Sequence, residues 1–350
     1  MRDSTPLLSV IIPCYNYEAF VGRAIESVLL QRHTQCELLV VDDGSSDRSW
    51  NVIQGYGLER CYRVANSGAA RACLYAFERS RAPFVLFLDA DDELAPGSLE
   101  EIVSRLEPGI SKLQFPLTPI DENGAILGPP VPQLDDFRDR DRLKREVART
   151  GTYTSPPTSG NVFCRDVCTL LAEVDYEMSV DGVTLFAAPF LGEIVSVSKP
   201  LGFYRLHRHN YSQAGSRPTA HRFRIEAERF LARHEHLGRI LARRNDAVKL
   251  RAAEGLFFYR ERRLYQKILE GDRVAASEVL TLQWLAFGSP RPMPQRITMA
   301  LFLGLCLILP GRLLGAVLDY RFRPGRRSAI GLLWSLLKGP RGVKRLLGPG

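Results

Sequence analysis

The sequence predicts an α/β fold: an open, mostly parallel sheet with helices on both faces, followed by a helical C-terminal region. Three observations carry this reading. Short continuous apolar runs recur at Leu7–Pro13, Leu38–Val41 and Phe84–Leu88, the pattern of strands buried on both faces of a parallel sheet. Segments with helical apolar spacing separate them, so strand and helix alternate about four times in the first hundred residues or so. Beyond Pro218 the chain turns rich in Arg, Glu, Ala and Leu at helical spacing, with no proline from His221 to Glu270.

Leu7–Pro13 is the first strand, and Glu18–Leu30 places Phe20, Val21, Ala24, Ile25, Val28 and Leu29 on one helical stripe. Leu38–Val41 is the second, ending in Asp42-Asp43-Gly44-Ser45-Ser46-Asp47, which supplies a turn glycine and caps for a helix to about Tyr56. A weaker strand at Cys61–Val64 leads through Asn66-Ser67-Gly68 into a helix carrying Ala70, Cys73, Leu74 and Phe77 inward. Phe84–Leu88 follows as the central strand. Leu113–Leu117 reads as an edge strand, Pro129–Arg149 as a solvated helix or a flap, and Ile194–Ser198 as a strand. In such a sheet the ligand lies outside the carboxyl ends of the strands.

Composition bounds the function. A chain of 350 residues, 45% hydrophobic and 25% charged, is ordinary globular material. Its seven cysteines are scattered without paired CxxC units, which argues against a disulfide framework or zinc site and for a reducing compartment. Met1–Pro6 is too polar for a secretory signal. No GxGxxG follows the first strand and no GxxxxGK[ST] occurs anywhere, so neither a dinucleotide site nor a P-loop is supported.

The chemistry gathers at the strand ends. Asp89, Asp91 and Asp92 directly follow the central strand, and their mutual repulsion is costly unless a cation or several donors offset it. Hard oxygen ligands suit Mg²⁺ or Mn²⁺ completed by water and a substrate phosphate; the competing reading is a helix cap ahead of Pro96. Tyr15-Asn16, Asp42-Asp43 and Arg71 also fall at or just after strand ends, converging an aromatic, carboxylates and a cation on one edge.

The segments VIIPCYNYE, SVLLQ, VVDDGSSD, ANSGAARA and FLDADDEL, in this order over residues 8–99, resemble the nucleotide-binding half of a family 2 glycosyltransferase of GT-A fold. The resemblance implies that Pro13 and Tyr15 flank a nucleobase, that Asp43 accepts from it, and that Arg71 lies near base or diphosphate. Asp89 and Asp91 would hold the ribose and a divalent cation, with Asp92 a further metal ligand. Thr158–Phe163 resembles the family's small-residue segment, and Val180-Asp181 stands where the family has an acidic pair. Val180 replaces the first acid; Asp181 fits the second, the family's catalytic base. Asp181 also reads as a helix N-cap before Gly182-Val183-Thr184, with Asp175 and Glu177 as the nearest substitutes. Gly202–Ser212 resembles the family's closing YRxHxxNxS segment, in which Arg205 or His207 would meet the departing diphosphate.

This gives a catalytic domain at 1–217, a helical extension at 218–290 and a basic, apolar tail at 291–350. The tail holds eleven Lys and Arg against one acid, Asp319, so it carries +10 of the net +8 and leaves residues 1–290 at −2. Its basic residues are interleaved with Leu, Ile and Trp, which fits an anionic membrane surface better than nucleic acid. No tail stretch reaches the roughly twenty residues of a span, and joining the first two places Arg312 in the middle. The expected protein is an inverting, metal-dependent transferase on the cytoplasmic face of the membrane, peripheral or monotopic, moving sugar from a nucleotide-diphosphate donor to a glycan or lipid-linked acceptor in cell-surface polysaccharide synthesis. A non-catalytic nucleotide-sugar or glycan binder on the same fold is the first alternative. A nucleotidyltransferase is the second, against which stands the absence of a glycine- and lysine-bearing loop after the first strand.

Overall fold

The computed structural model describes residues 5–176, 180–207, 218–289, 293–309 and 311–322. Eleven strands are found in chain order: β1 (Leu8–Cys14), β2 (Cys36–Asp42), β3 (Cys61–Arg63), β4 (Phe84–Phe87), β5 (Glu93–Leu94), β6 (Ile110–Gln114), β7 (Leu117–Ile120), β8 (Phe137–Asp139), β9 (Asn161–Cys164), β10 (Glu193–Ser196) and β11 (Gly202–Arg205). The chain divides into two units: Met1–Val147 with Thr152–His207 and Glu235–Val248, and Ala148–Gly151 with Arg208–His234 and Lys249–Gly350.

In the first unit every residue of β1 is buried, because the strand runs parallel between β2 and β4 and is covered on both faces. Alternate residues serve opposite faces. Leu8, Val10 and Ile12 pack with Val21, Ala24, Ile25 and Val28 of the helix Val21–Leu29. Ile11, with Leu39 and Val41, packs with Ala72, Cys73, Ala76 and Phe77 of the helix Ala69–Arg79. Burying each of the Val, Leu, Ile and Phe side chains among them contributes roughly 1.5–3 kcal/mol relative to exposure. The parallel strands run β3-β2-β1-β4, so the connections leave β1 towards one side and return on the other, opening a crevice at the carboxyl ends of β1 and β4.

The far half of the sheet departs from the sequence reading. The full order is β3-β2-β1-β4-β9-β6-β10-β8, with β9 antiparallel to both β4 and β6. The segment expected as an edge strand at Leu113–Leu117 is two strands. Ile110–Gln114 lies inside the large sheet, and Leu117–Ile120 belongs to a small second sheet ordered β5-β11-β7. Pro116, which has no N–H to donate, sits at the break. The stretch expected as a solvated helix or a flap over Pro129–Arg149 contains β8, antiparallel to β10, and a helix at Arg142–Thr150, where Leu143 and Val147 are buried. β5 pairs antiparallel with β11, Gly202 opposite Leu94 and Phe203 opposite Glu93, which brings the segment ending at His207 back to the loop after β4.

The second unit is helical. Phe257–Glu270, Ala276–Phe287, Met293–Ile308 and Gly311–Phe322 share a core that includes Leu264, Tyr265, Leu282, Leu303 and Leu318. The first two apolar stretches of the tail are therefore separate helices that each bury one face. Among the described residues no helix is long and apolar enough to cross a membrane. Arg321, one of the eleven basic residues of the tail, pairs with Glu261 at 3.1 Å and lies over the Phe302 ring. Arg323, Arg326, Arg327 and the Ile330–Leu337 stretch lie outside the described residues.

Candidate active site

The loops after β1 and β2 are tied together by side chains. Asn16, in the left-handed region at φ 58°, accepts at Oδ1 from the Ser46 amide (2.8 Å), and its own amide donates to Ser45 Oγ (2.9 Å). Gly44 is required twice: its φ is +71°, and a Cβ there would meet the Asn66 amide nitrogen at 2.8 Å. Asp43 spans this crossing. Its amide donates to the Cys14 carbonyl, while its carboxylate accepts from the Ser67 and Gly68 amides, each at 2.8 Å. Asp43 thus clamps the start of the helix that carries Arg71. The Arg71 side chain is exposed and makes no ion pair or hydrogen bond among the described residues. Tyr15 is exposed at the tip of β1, and Pro13 is buried within the strand opposite Val41.

The loop after β4 holds three carboxylates in different states. Asp92 is buried with both oxygens engaged: Oδ2 accepts from Ser159 Oγ (2.6 Å) and Oδ1 from the Arg205 amide (3.0 Å). Asp91 Oδ2 lies 2.9 Å from His207 Nε2. The His207 ring is stacked on Phe20 and edge-on to Tyr17, two residues past Tyr15, so the end of β1 meets this loop. The Asp89 amide donates to Ser159 Oγ (3.0 Å). Burial, then repulsion from Asp92, Asp91 and Asp181, pushes the Asp89 carboxyl well above the usual carboxylate range, opposed by the Thr158 hydroxyl. Asp92 is pushed up by burial and by Asp91, against the donors from Ser159 and Arg205.

Asp181 precedes the helix Gly182–Leu191, yet its side chain makes no capping hydrogen bond. Oδ2 accepts from Thr158 Oγ1 (2.6 Å), and Oδ1 is buried with no hydrogen-bond partner among the described residues. Burial raises its pKa, with Thr158 and the cation of Lys112 acting the other way. Asp175 is exposed, and Glu177 lies outside the described residues.

Sequence reasoning missed three groups here. Lys112 is completely buried, its Nζ donating to Gln114 Oε1 (2.8 Å), Tyr153 Oη (3.0 Å) and Ser155 Oγ (2.8 Å), all neutral. Burial depresses its pKa strongly, with Asp181 acting the other way. Thr158 and Ser159 are the second and third, legible beforehand only as a run of small residues. That run is tightly set, since a Cβ on Gly160 would meet the Phe115 carbonyl at 2.6 Å. One expectation is corrected. Arg205 is fully buried and spends its guanidinium on the Asp91 carbonyl (2.9 Å), the Asp121 carbonyl (2.9 Å) and the Glu93 carboxylate, so it cannot meet a diphosphate. The segment after His207 lies outside the described residues.

Among the described residues no three His, Cys, Asp or Glu side chains are grouped to hold a metal by themselves. The donors present are hard carboxylate oxygens, which fit a Mg²⁺ or Mn²⁺ ion that completes its shell from water and substrate.

A mixed sheet with acceptor and acid groups crowded at the ends of β1, β2 and β4 defines a ligand-binding α/β unit, and comparison with known proteins specifies which. Residues 9–129 match the profile of glycosyl transferase family 2. An uncharacterized glycosyltransferase of a Nostoc species is 31% identical over 223 residues, covering 61% of this chain and 69% of that relative. TuaG of Bacillus subtilis, a putative teichuronic acid biosynthesis glycosyltransferase, is 38% identical over 106 residues, which are 29% of this chain and 42% of TuaG. Among solved structures, TarS 1–349 of S. aureus in complex with UDP-GlcNAc superposes with a TM-score of 0.54 at 17% identity, covering 91% of this chain and 93% of that one. The chain belongs to glycosyltransferase family 2 and is a glycosyltransferase with a GT-A-like fold.

Proposed function

We propose that this glycosyltransferase works with inversion, moving a sugar from a nucleotide-diphosphate donor to a hydroxyl of a glycan or lipid-linked acceptor in cell-surface polysaccharide synthesis. The observation that carries the reading is Asp181: a half-buried carboxylate, oriented by Thr158, with one oxygen that has no partner among the described residues. Such a carboxylate oxygen takes the proton of the acceptor's hydroxyl as the hydroxyl oxygen bonds to the anomeric carbon, while the bond from that carbon to the diphosphate breaks and its electron pair leaves with the nucleotide. Its raised pKa makes it a stronger base than an exposed carboxylate once ionised.

On the donor side, Pro13, Tyr15 and Asp43 are assigned to the nucleobase, Arg71 to base or diphosphate, and Asp89 to the ribose. Asp91, steadied by His207, is the ligand for Mg²⁺ or Mn²⁺, which would supply charge neutralisation for the departing diphosphate. Asp92 is kept as the further metal ligand, and its oxygens also hold the loop by accepting from Ser159 Oγ and the Arg205 amide. The name of TuaG supports a role in surface polymers. The cationic C-terminal sequence supports attachment to an anionic membrane on its cytoplasmic face.

The test is a screen of UDP-, GDP- and dTDP-sugars for hydrolysis with Mn²⁺ or Mg²⁺. One donor should be turned over only with metal, and Asp91→Asn should weaken its calorimetric binding more than about tenfold, or 1.4 kcal/mol. Absence of binding to every donor defeats the reading; unchanged metal-dependent binding in the variant removes Asp91 from it.

A further inference from the structure

The helices Ala276–Phe287 and Met293–Ile308 form an antiparallel pair: Arg296 donates to the Phe287 carbonyl (2.9 Å) and Gln283 to the Ala300 carbonyl (2.8 Å). One side of the pair, with Val279, Leu282, Met299 and Leu303, is buried in the helical core. The opposite side is apolar as well. At about 100° per residue, Leu280, Trp284 and Phe287 lie up to one residue step clockwise of Gln283 on the first helix. Ile297, Leu301 and Ile308 lie in the same sense from Ala300 on the second. In an antiparallel pair equal rotations from the seam end on the same side, so the six residues form one face. They are exposed, Trp284 by 72%, Leu301 by 69% and Ile308 by 78%.

A contiguous apolar face of this kind marks a docking surface, and we infer that it is where the protein enters the interfacial layer of a lipid bilayer. Charge selects the occupant. The sequence that follows, residues 323–350, holds seven Lys and Arg and no acid, and each such residue is attracted to an anionic leaflet by on the order of 1 kcal/mol. A second copy docked on the same face carries the same cationic segment and is repelled by it. An apolar helical face with a tryptophan, in a chain whose sequence continues into a basic run, is the pattern of interfacial attachment. The inference rests on the membrane part of the proposed function and is independent of its chemistry.

The experiment compares flotation of the full chain and a Trp284→Glu/Leu301→Glu variant with phosphatidylserine-containing and pure phosphatidylcholine vesicles, at low and high salt. Both substitutions replace exposed side chains, so thermal stability and donor hydrolysis should be unchanged. The wild type should float with anionic vesicles and keep part of its binding at high salt; the variant should bind at least about tenfold more weakly and lose the salt-resistant part. Equal flotation of the two overturns the face while leaving the basic segment as the attachment. Salt-insensitive binding that the variant loses keeps the face and removes the basic segment. A wild-type dimer by light scattering that becomes monomeric in the variant overturns the inference in favour of a second copy.

Discussion

Each unit encloses a carboxylate, Glu261 in the helical unit and Asp181 in the α/β unit, and the two are satisfied to opposite degrees. In the helical unit Glu261 is almost inaccessible, yet Oε1 accepts from Tyr265 Oη (2.6 Å) and Arg321 Nη2 (3.1 Å), and Oε2 accepts from Arg262 Nη1 (2.7 Å). In the α/β unit Asp181 keeps one oxygen without a partner among the described residues, and Lys112 is surrounded by neutral donors and acceptors. A buried charge satisfied on every side holds packing in place. A buried charge left short destabilises its surroundings and persists where the rest of the fold over-determines it, the usual condition of a reacting group. The contrast separates the two roles without reference to any relative.

The largest expected effect sharpens this contrast. Asp181→Asn should lower sugar transfer by roughly 10² to 10⁴-fold, the range of a general base, with donor affinity unchanged. It should also stabilise. The folded pKa of Asp181 lies above its unfolded value, so its ionised form costs stability at neutral pH, and that cost vanishes as pH falls below the unfolded carboxylate range near ~3.9. Calorimetry should show Tm up by about 2–4 °C at neutral pH, the gain fading in acid. A variant that melts lower would place Asp181 beside Glu261 as a structural group.

Glu261→Ala should behave the other way, losing about 3–5 kcal/mol in denaturant unfolding because Arg321 loses its carboxylate and Arg262 keeps only Glu226. A loss below about 1 kcal/mol would erase the distinction between the two carboxylates.

The smallest effect concerns Lys112. Its ammonium holds the Asp181 pKa down against burial, so Lys112→Met should move the acidic limb of the kcat profile to higher pH. The rate loss should be about tenfold on the acid side and should shrink as pH rises. A loss uniform across pH, with the limb in place, would make Lys112 a packing residue only.

The parallel half of the fold was legible because β1, β2 and β4 are covered on both faces, and full burial writes itself as continuous apolar runs. The positions of Tyr15, Asp43, Arg71 and the Asp89–Asp92 cluster at strand ends followed from the same pattern. The antiparallel half was not legible. β8 and β9 are three and four residues long, too short for a periodic signal, and Lys112 reads as a polar edge residue until β9 and β10 enclose β6 on either side.

The sequence by itself therefore determined the α/β class, the carboxylate-bearing strand ends and the helical, basic C-terminal region, since these rest on local runs and spacings. Only the tertiary structure decided that Arg205 is spent inside the fold while His207 reaches Asp91, and that Asp181 is held by Thr158 without capping its helix. Each of those outcomes depends on a contact between residues 23 to 116 positions apart, and such pairings are fixed by strand register and burial, which no local pattern records.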